Sequence, residues 1–213
     1  MQTPTAVERP SSAPLGPEWN RLIERCNAPS MIVAIRSMMS RRLLQRYEPE
    51  DLWQETLLQA WSSWPSFEYR GDRSFRRWLL EIARRRICDV ADREGAEKRG
   101  QAIEFSALEK RIGSDSRDGD YAGPICTTSP GRAEADREIA MLLQRALESV
   151  PEECREIVAY HLFQDQSFEE IAARLGSELS VEGIRYRFRK GFEIYARELR
   201  RLRHLGPDGL FPG

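Results

Sequence analysis

Apolar residues recur every three or four positions over two long stretches, about 18–93 and 132–205, and nowhere alternate with the period of a strand. The pattern predicts an all-α protein built from two small helical domains. Between them, residues 95–131 lose the period and fill with Gly, Ser, Asp and Pro, which reads as a flexible linker carrying one helical turn near 105–112. Pro, Ser and Thr dominate the first residues, as in a disordered lead-in. The predicted order is a tail at 1–17, a helical domain at 18–94, the linker at 95–131, a second helical domain at 132–205 and a tail at 206–213.

The first domain is the richer in chemistry. Four of the five tryptophans, Trp53, Trp61, Trp64 and Trp78, fall within 26 residues of one another. At 100° per residue, a helix over 51–64 places Trp53, Leu57, Ala60, Trp61 and Trp64 on one side, a core stripe. Asp51, Gln54, Glu55 and Leu58 fall opposite. That second face suits a basic partner helix, although alone it favours an ordinary solvated surface. Pro65 should end the helix. The loop that follows holds Phe67, Tyr69, Arg70, Gly71 and Arg73, with Ser74 as N-cap of the next helix. That helix should bury Phe75, Trp78, Leu79, Ile82 and Val90, with Arg73, Arg77 and Arg84 aligned on its other face. An arginine row can follow a phosphate backbone, and loop aromatics can stack an unstacked base. A solvated arginine face beside a core-anchoring loop is the competing reading. Trp53, Trp61 and Trp78 are expected in the core. Trp64, at the helix end beside the loop, keeps a claim to nucleic-acid contact.

In the second domain, Ser167 followed by Glu170 is a capping-box signature. Phe168, Ile171, Ala172 and Leu175 form one helical face, and Gly176 stops the helix. Ser180 can cap the next helix, whose inner face is Val181, Ile184, Phe188, Phe192, Tyr195 and Leu199. Its outer face shows Glu182, Gly183, Tyr186, Arg187, Arg189 and Lys190. The pair reads as a helix-turn-helix with a basic second helix suited to the major groove, the alternative being a plain helical hairpin. Pro151 lies at the start of a supporting helix upstream.

Charge changes the picture only locally. The chain has 213 residues, 40% hydrophobic and 31% charged, with net charge −1. Residues 69–93 nevertheless hold eight Arg against four acids, and residues 181–204 hold seven Arg and one Lys against three. The four cysteines are scattered and neither histidine flanks one at ligand spacing, so no metal, cofactor or disulfide framework is expected. No apolar run reaches the ~20 residues that span a bilayer, and the N-terminus lacks a signal-peptide core, which points to a cytoplasmic protein. With no phosphate loop, metal cluster or nucleophile–base pair, an enzyme is not expected.

Both blocks resemble the bacterial RNA polymerase sigma factors of the sigma-70 family, extracytoplasmic-function group, over about 31–93 and 142–202. Asp51-Leu52-Trp53-Gln54-Glu55-Thr56 through Trp61 resembles the family's region 2.2. Ser74-Phe75-Arg76-Arg77-Trp78-Leu79-Leu80 with Ile82-Ala83-Arg84 resembles its −10-contacting helix. Ser149-Val150-Pro151-Glu152-Glu153 resembles the opening of region 4, and residues 167–175 with 180–190 its −35-reading helix-turn-helix. The resemblance implies docking on the polymerase β′ clamp helices through Asp51, Gln54, Glu55 and Leu58, with further contact to the β flap. It implies −10 contacts from Trp64, Phe67, Tyr69, Arg70, Arg73, Arg77 and Arg84, and −35 contacts from Arg185, Tyr186, Arg187, Arg189 and Lys190. Core RNA polymerase and promoter DNA, duplex and single-stranded, are the implied partners, with an anti-sigma factor as a family-level expectation. The chain departs from the family pattern in four places. The helix-turn-helix turn is about two residues longer, Gly183 sits inside the recognition helix, Tyr186 is bulkier than usual, and Asp165-Gln166 stands where Gly-Leu is typical. Two other readings stay open: a helix-turn-helix regulator that never engages polymerase, and a sigma-like interaction protein or decoy.

Overall fold

The computed structural model describes residues 17–98, 130–176 and 180–205. These residues are helical, without a strand among them. Helices α1 (Pro17–Cys26), α2 (Ala28–Met38), α3 (Pro49–Ser63) and α4 (Asp72–Lys98) build the first half, with 3-10 turns at Leu43–Gln45 and Trp64–Ser66. Helices α5 (Pro130–Glu148), α6 (Glu152–Val158), α7 (Phe168–Leu175) and α8 (Val181–Leu205) build the second, and a π-helical turn, Ala159–Phe163, extends α6. Helix α4 runs through Gly95 to Lys98, past the expected domain end at 94. The expected tails, the turn near 105–112 and the helix-turn-helix turn at 177–179 lie outside the described residues, as does Cys126.

Helix α2 is the axis of the molecule. Its run Met31, Ile32, Val33, Ala34 and Ile35 is buried on every side, the signature of a helix enclosed by others. Helices α3 and α4 cover one side, and α5 and the π turn of the second half cover another. The halves therefore dock on each other and share one continuous apolar core. A smaller cluster, Ile157, Ile171 and Ile184, ties α6, α7 and α8 together.

Trp19 on α1 is the hub of the aromatic cluster. It meets Trp61, Trp64 and Phe75 edge to face at 5.3, 5.4 and 5.7 Å between ring centres, geometry that aromatic quadrupoles favour. Trp64 corrects the sequence reading. It is 4% exposed and packs among Trp19, Phe67, Phe75 and Trp78, because its backbone continues the helical path of α3 and keeps it on the core stripe. It has no face open to a base. Trp53 is buried, and Trp61 and Trp78 pack half-buried against the core.

Glu94, buried near the end of α4, accepts from Arg42 at 3.3 Å and from the Tyr47 hydroxyl at 3.3 Å, and pairs closely with Arg46. The Arg46 hydrogen bond leads in holding its carboxyl below the ordinary glutamate range. Among the described residues no cysteine is in a disulfide, and no group of His, Cys, Asp and Glu could hold a metal. None of their helices is long and apolar enough to cross a membrane.

Candidate nucleic-acid interface

Three surfaces carry the residues singled out above. The first is the outer face of α3. Leu52, Trp53, Thr56, Leu57 and Ala60 are buried against α2 and α4, which leaves Asp51, Gln54 and Leu58 pointing outward. Leu58, 49% exposed, is an isolated apolar spot in a polar rim. Glu55 is partly covered and pairs closely with Arg86 of α4. It therefore serves the α3–α4 contact as well as the outer face, a role the helical wheel of a single element could not disclose.

The second surface is the loop and the start of α4. The helix begins at Asp72, not after Ser74, behind Gly71 at φ +104, where a side chain would be strained. Ser74 sits inside the first turn. Its hydroxyl donates to Gly71 O at 2.7 Å and accepts from Arg70 N at 2.9 Å, so it pins the loop instead of capping the helix. Phe67 stacks on Trp78 with ring centres 4.3 Å apart, and Tyr69 lies edge-on to Phe67 at 6.5 Å. Both rings are half-buried, so each keeps an edge at the surface. Arg70 is exposed and pairs with Glu68 at 2.8 Å. Arg73 and Arg77 are exposed on one side of α4, and Arg84 lies further along, 3.1 Å from Glu81.

This row is already occupied by acids of the second half. Arg73 Nε lies 3.4 Å from Asp165 Oδ2, and Arg77 Nε 4.0 Å from the same oxygen. Arg77 Nη2 donates to both carboxylate oxygens of Glu170, at 3.0 and 3.1 Å. Arg76, directly before Arg77, lies outside the residues expected to touch DNA and has a structural task. Its guanidinium donates to Cys26 O at 2.8 Å, Ser30 Oγ at 3.1 Å and Phe163 O at 2.7 Å. It thus ties α1 and α2 to the end of the π turn. Burial pulls its pKa below the usual arginine value.

The third surface is the helix-turn-helix. Ser167 and Glu170 form the reciprocal capping box: Glu170 N donates to Ser167 Oγ at 3.1 Å, and Ser167 N to Glu170 Oε2 at 2.6 Å. That backbone hydrogen bond is the main reason the Glu170 carboxyl lies below its ordinary range. Gly176 closes α7 at φ +53, the left-handed end that glycine favours. Ser180 caps α8 through Gly183 N at 3.2 Å. Gly183 therefore lies in the first turn, where the helix interior penalty does not fully apply. Ile184 and Tyr195 are buried, but Phe192 of the expected inner face is 40% exposed. Gly191 takes its place against α6.

On the outer face, Tyr186 is well exposed, as are Arg189 and, in part, Arg187. Arg185 sits over the Phe168 ring at 5.7 Å and pairs with Glu169 at 3.3 Å. Lys190 pairs with Glu153 at 3.1 Å, which raises its pKa. Arg185 and Lys190 thus brace α8 against α7 and α6. Tyr186, Arg187 and Arg189 make up the more outward part of the face.

Comparison with known proteins agrees with this division. Residues 33–97 match the model for Sigma-70 region 2, and residues 140–192 match the model for Sigma-70, region 4. No curated protein and no solved structure matches the chain. The two matched spans cover more than half of the sequence, in family order and each on its own helical half. The chain belongs to the sigma-70 family, as a sigma factor with a role in promoter recognition.

Proposed function

We propose that the protein is a sigma factor of the extracytoplasmic-function group that acts in the cytoplasm and catalyses no reaction itself. Asp51, Gln54, Glu55 and Leu58 dock on the β′ clamp helices of core RNA polymerase, and the second half contacts the β flap. Helix α8 enters the major groove at the −35 element with Tyr186, Arg187 and Arg189, steadied by Arg185 and Lys190. Residues 66–73, with Arg73, Arg77 and Arg84, hold the melted −10 strand. Melting sacrifices base stacking, and stacking on side-chain rings such as Phe67 and Tyr69 returns about 1–3 kcal/mol per base. An anti-sigma protein is the class of regulator proposed for it.

The observation that carries this reading is the separation of its parts. An exposed leucine in an acidic rim lies on one helix, an arginine row beside an aromatic loop on the next, and a capped basic helix-turn-helix in the other half. The test is run-off transcription with purified core polymerase on a genomic promoter library. Discrete start sites that depend on this protein support the proposal. No start-site-specific RNA together with no core binding would reject it. A regulator that ignores polymerase would instead tolerate Asp51→Arg without loss.

A further inference from the structure

We infer that the docked arrangement is self-masked: Asp165 and Glu170 of the second half occupy the arginine row that the first half needs for the −10 strand. The inference rests on the functional reading above and adds a regulatory state to it.

The contact is built from three layers. The apolar layer is α2 against α5 and the π turn. The polar layer is specific: Arg76 caps the end of the π turn through Phe163 O, and buried Gln164 donates to Ser37 Oγ of α2 at 3.0 Å. The ionic layer is Arg73 and Arg77 against Asp165 and Glu170. In that layer carboxylates stand where phosphates would otherwise sit.

Asp165 is the telling residue. It has φ +57, a left-handed conformation that glycine adopts freely and other residues adopt at a cost. The conformation comes from the wrap of the chain around the π turn, where Gln164 N donates to Ala159 O and Gln166 N to Tyr160 O. An aspartate at such a place carries its carboxylate, only 19% exposed, to both arginines. Glycine there would take the carboxylate from Arg73 and leave Arg77 with Glu170 alone.

The partners are unequal in exposure. The Arg73 side chain is 81% exposed, and those of Arg77 and Glu170 are about half exposed. Exposed pairs each shift an equilibrium by about 1.5- to 5-fold and weaken with salt. The ionic layer therefore acts as a light, salt-sensitive latch on a contact held by the other two layers, light enough for a nucleic-acid backbone to displace.

The test uses the full chain with Asp165→Asn and Glu170→Gln combined. Asparagine tolerates the left-handed conformation and glutamine keeps the capping box, so the fold is spared. The control, Glu134→Gln with Glu193→Gln, makes the same charge change on exposed residues away from the latch. Binding is read by fluorescence anisotropy of a random-sequence single-stranded 20-mer, and domain opening by small-angle X-ray scattering. The expected result is about three- to tenfold tighter binding at 50 mM salt for the latch variant alone. The radius of gyration should stay that of the compact chain, because the apolar and polar layers still hold the contact, and the gain in binding should be gone at 0.5 M salt. Equal gains in latch and control variants, no gain in either, or a wild-type chain already extended would overturn the inference. None of these readouts needs polymerase, so failure of the latch and failure of the sigma reading in run-off transcription are distinguishable.

Discussion

Gly191 sets how closely α8 can lie on α6, and Gly191→Ala tests that seat. Alanine in a helix interior gains about 1 kcal/mol over glycine from propensity alone, so an exposed position would become more stable. Here a methyl group would lie 2.8 Å from Cys154 Cβ, 2.9 Å from Val158 Cγ2 and 3.2 Å from Val150 Cγ1. Carbon atoms pack best about 3.5–4.0 Å apart, so α8 must move away by the better part of an ångström. The opposing atoms cannot yield easily. Cys154 Cβ is fixed by its own backbone, and the β-branched Val158, at the end of α6, is held close to a single rotamer. Overpacking of this kind costs about 1–3 kcal/mol, and the tight contacts on all three neighbours place the site at the upper end. The net expectation is a loss of about 1–2 kcal/mol, measured by urea denaturation of the full chain. Weaker transcription from a −35-dependent promoter should accompany it, because the outward residues of α8 shift with the helix. A variant as stable as the parent, or more stable, would show that the close approach is not what selects glycine here.

Three further outcomes follow from the same contacts. Trp64→Ala should destabilise the chain by about 3–5 kcal/mol, whereas Trp64→Phe, kept folded, should bind single-stranded DNA like the parent in a filter assay; a specific loss for the folded Phe variant would restore Trp64 as a contact residue. Leu58→Asp and Asp51→Arg should weaken core-polymerase binding at least tenfold at unchanged melting temperature. Glu55→Arg should lower both, because it also severs the Arg86 pair, and the comparison is made by surface plasmon resonance and thermal melts. The Glu94 carboxyl is held below its ordinary value of 4.5, so its contribution to stability is present above that pH and is lost as pH falls through the depressed folded value. Melting temperature should therefore fall on acidification below about pH 4.5, and the Glu94→Gln variant should be less stable at neutral pH with a flatter acid limb.

Local signals carried much of this protein. The capping box at Ser167 and Glu170, the Gly176 stop and the Ser180 cap depend on neighbours within a few residues, and each forms as its sequence predicts. The buried stripe of α3 is legible for the same reason, since helical periodicity is a one-element property. Ser74 escaped because a Gly71 turn starts α4 two residues earlier, and the hydroxyl was free for the loop instead. Trp19 escaped because its importance lies in rings from α3 and α4 meeting it, not in any spacing on α1.

By itself the sequence determined the main helices, the caps of α7 and α8, the two basic clusters and the family to which they belong, because these follow from period, charge and local chemistry. Only the tertiary structure decided which polar groups those surfaces already hold. Trp64 turned inward, Glu55 found Arg86, Gly191 became a seat for α8, and Arg73, Arg77 and Asp165, about ninety residues apart in the chain, came together. Contacts of that kind depend on how whole helices dock, and no periodicity within one element encodes them.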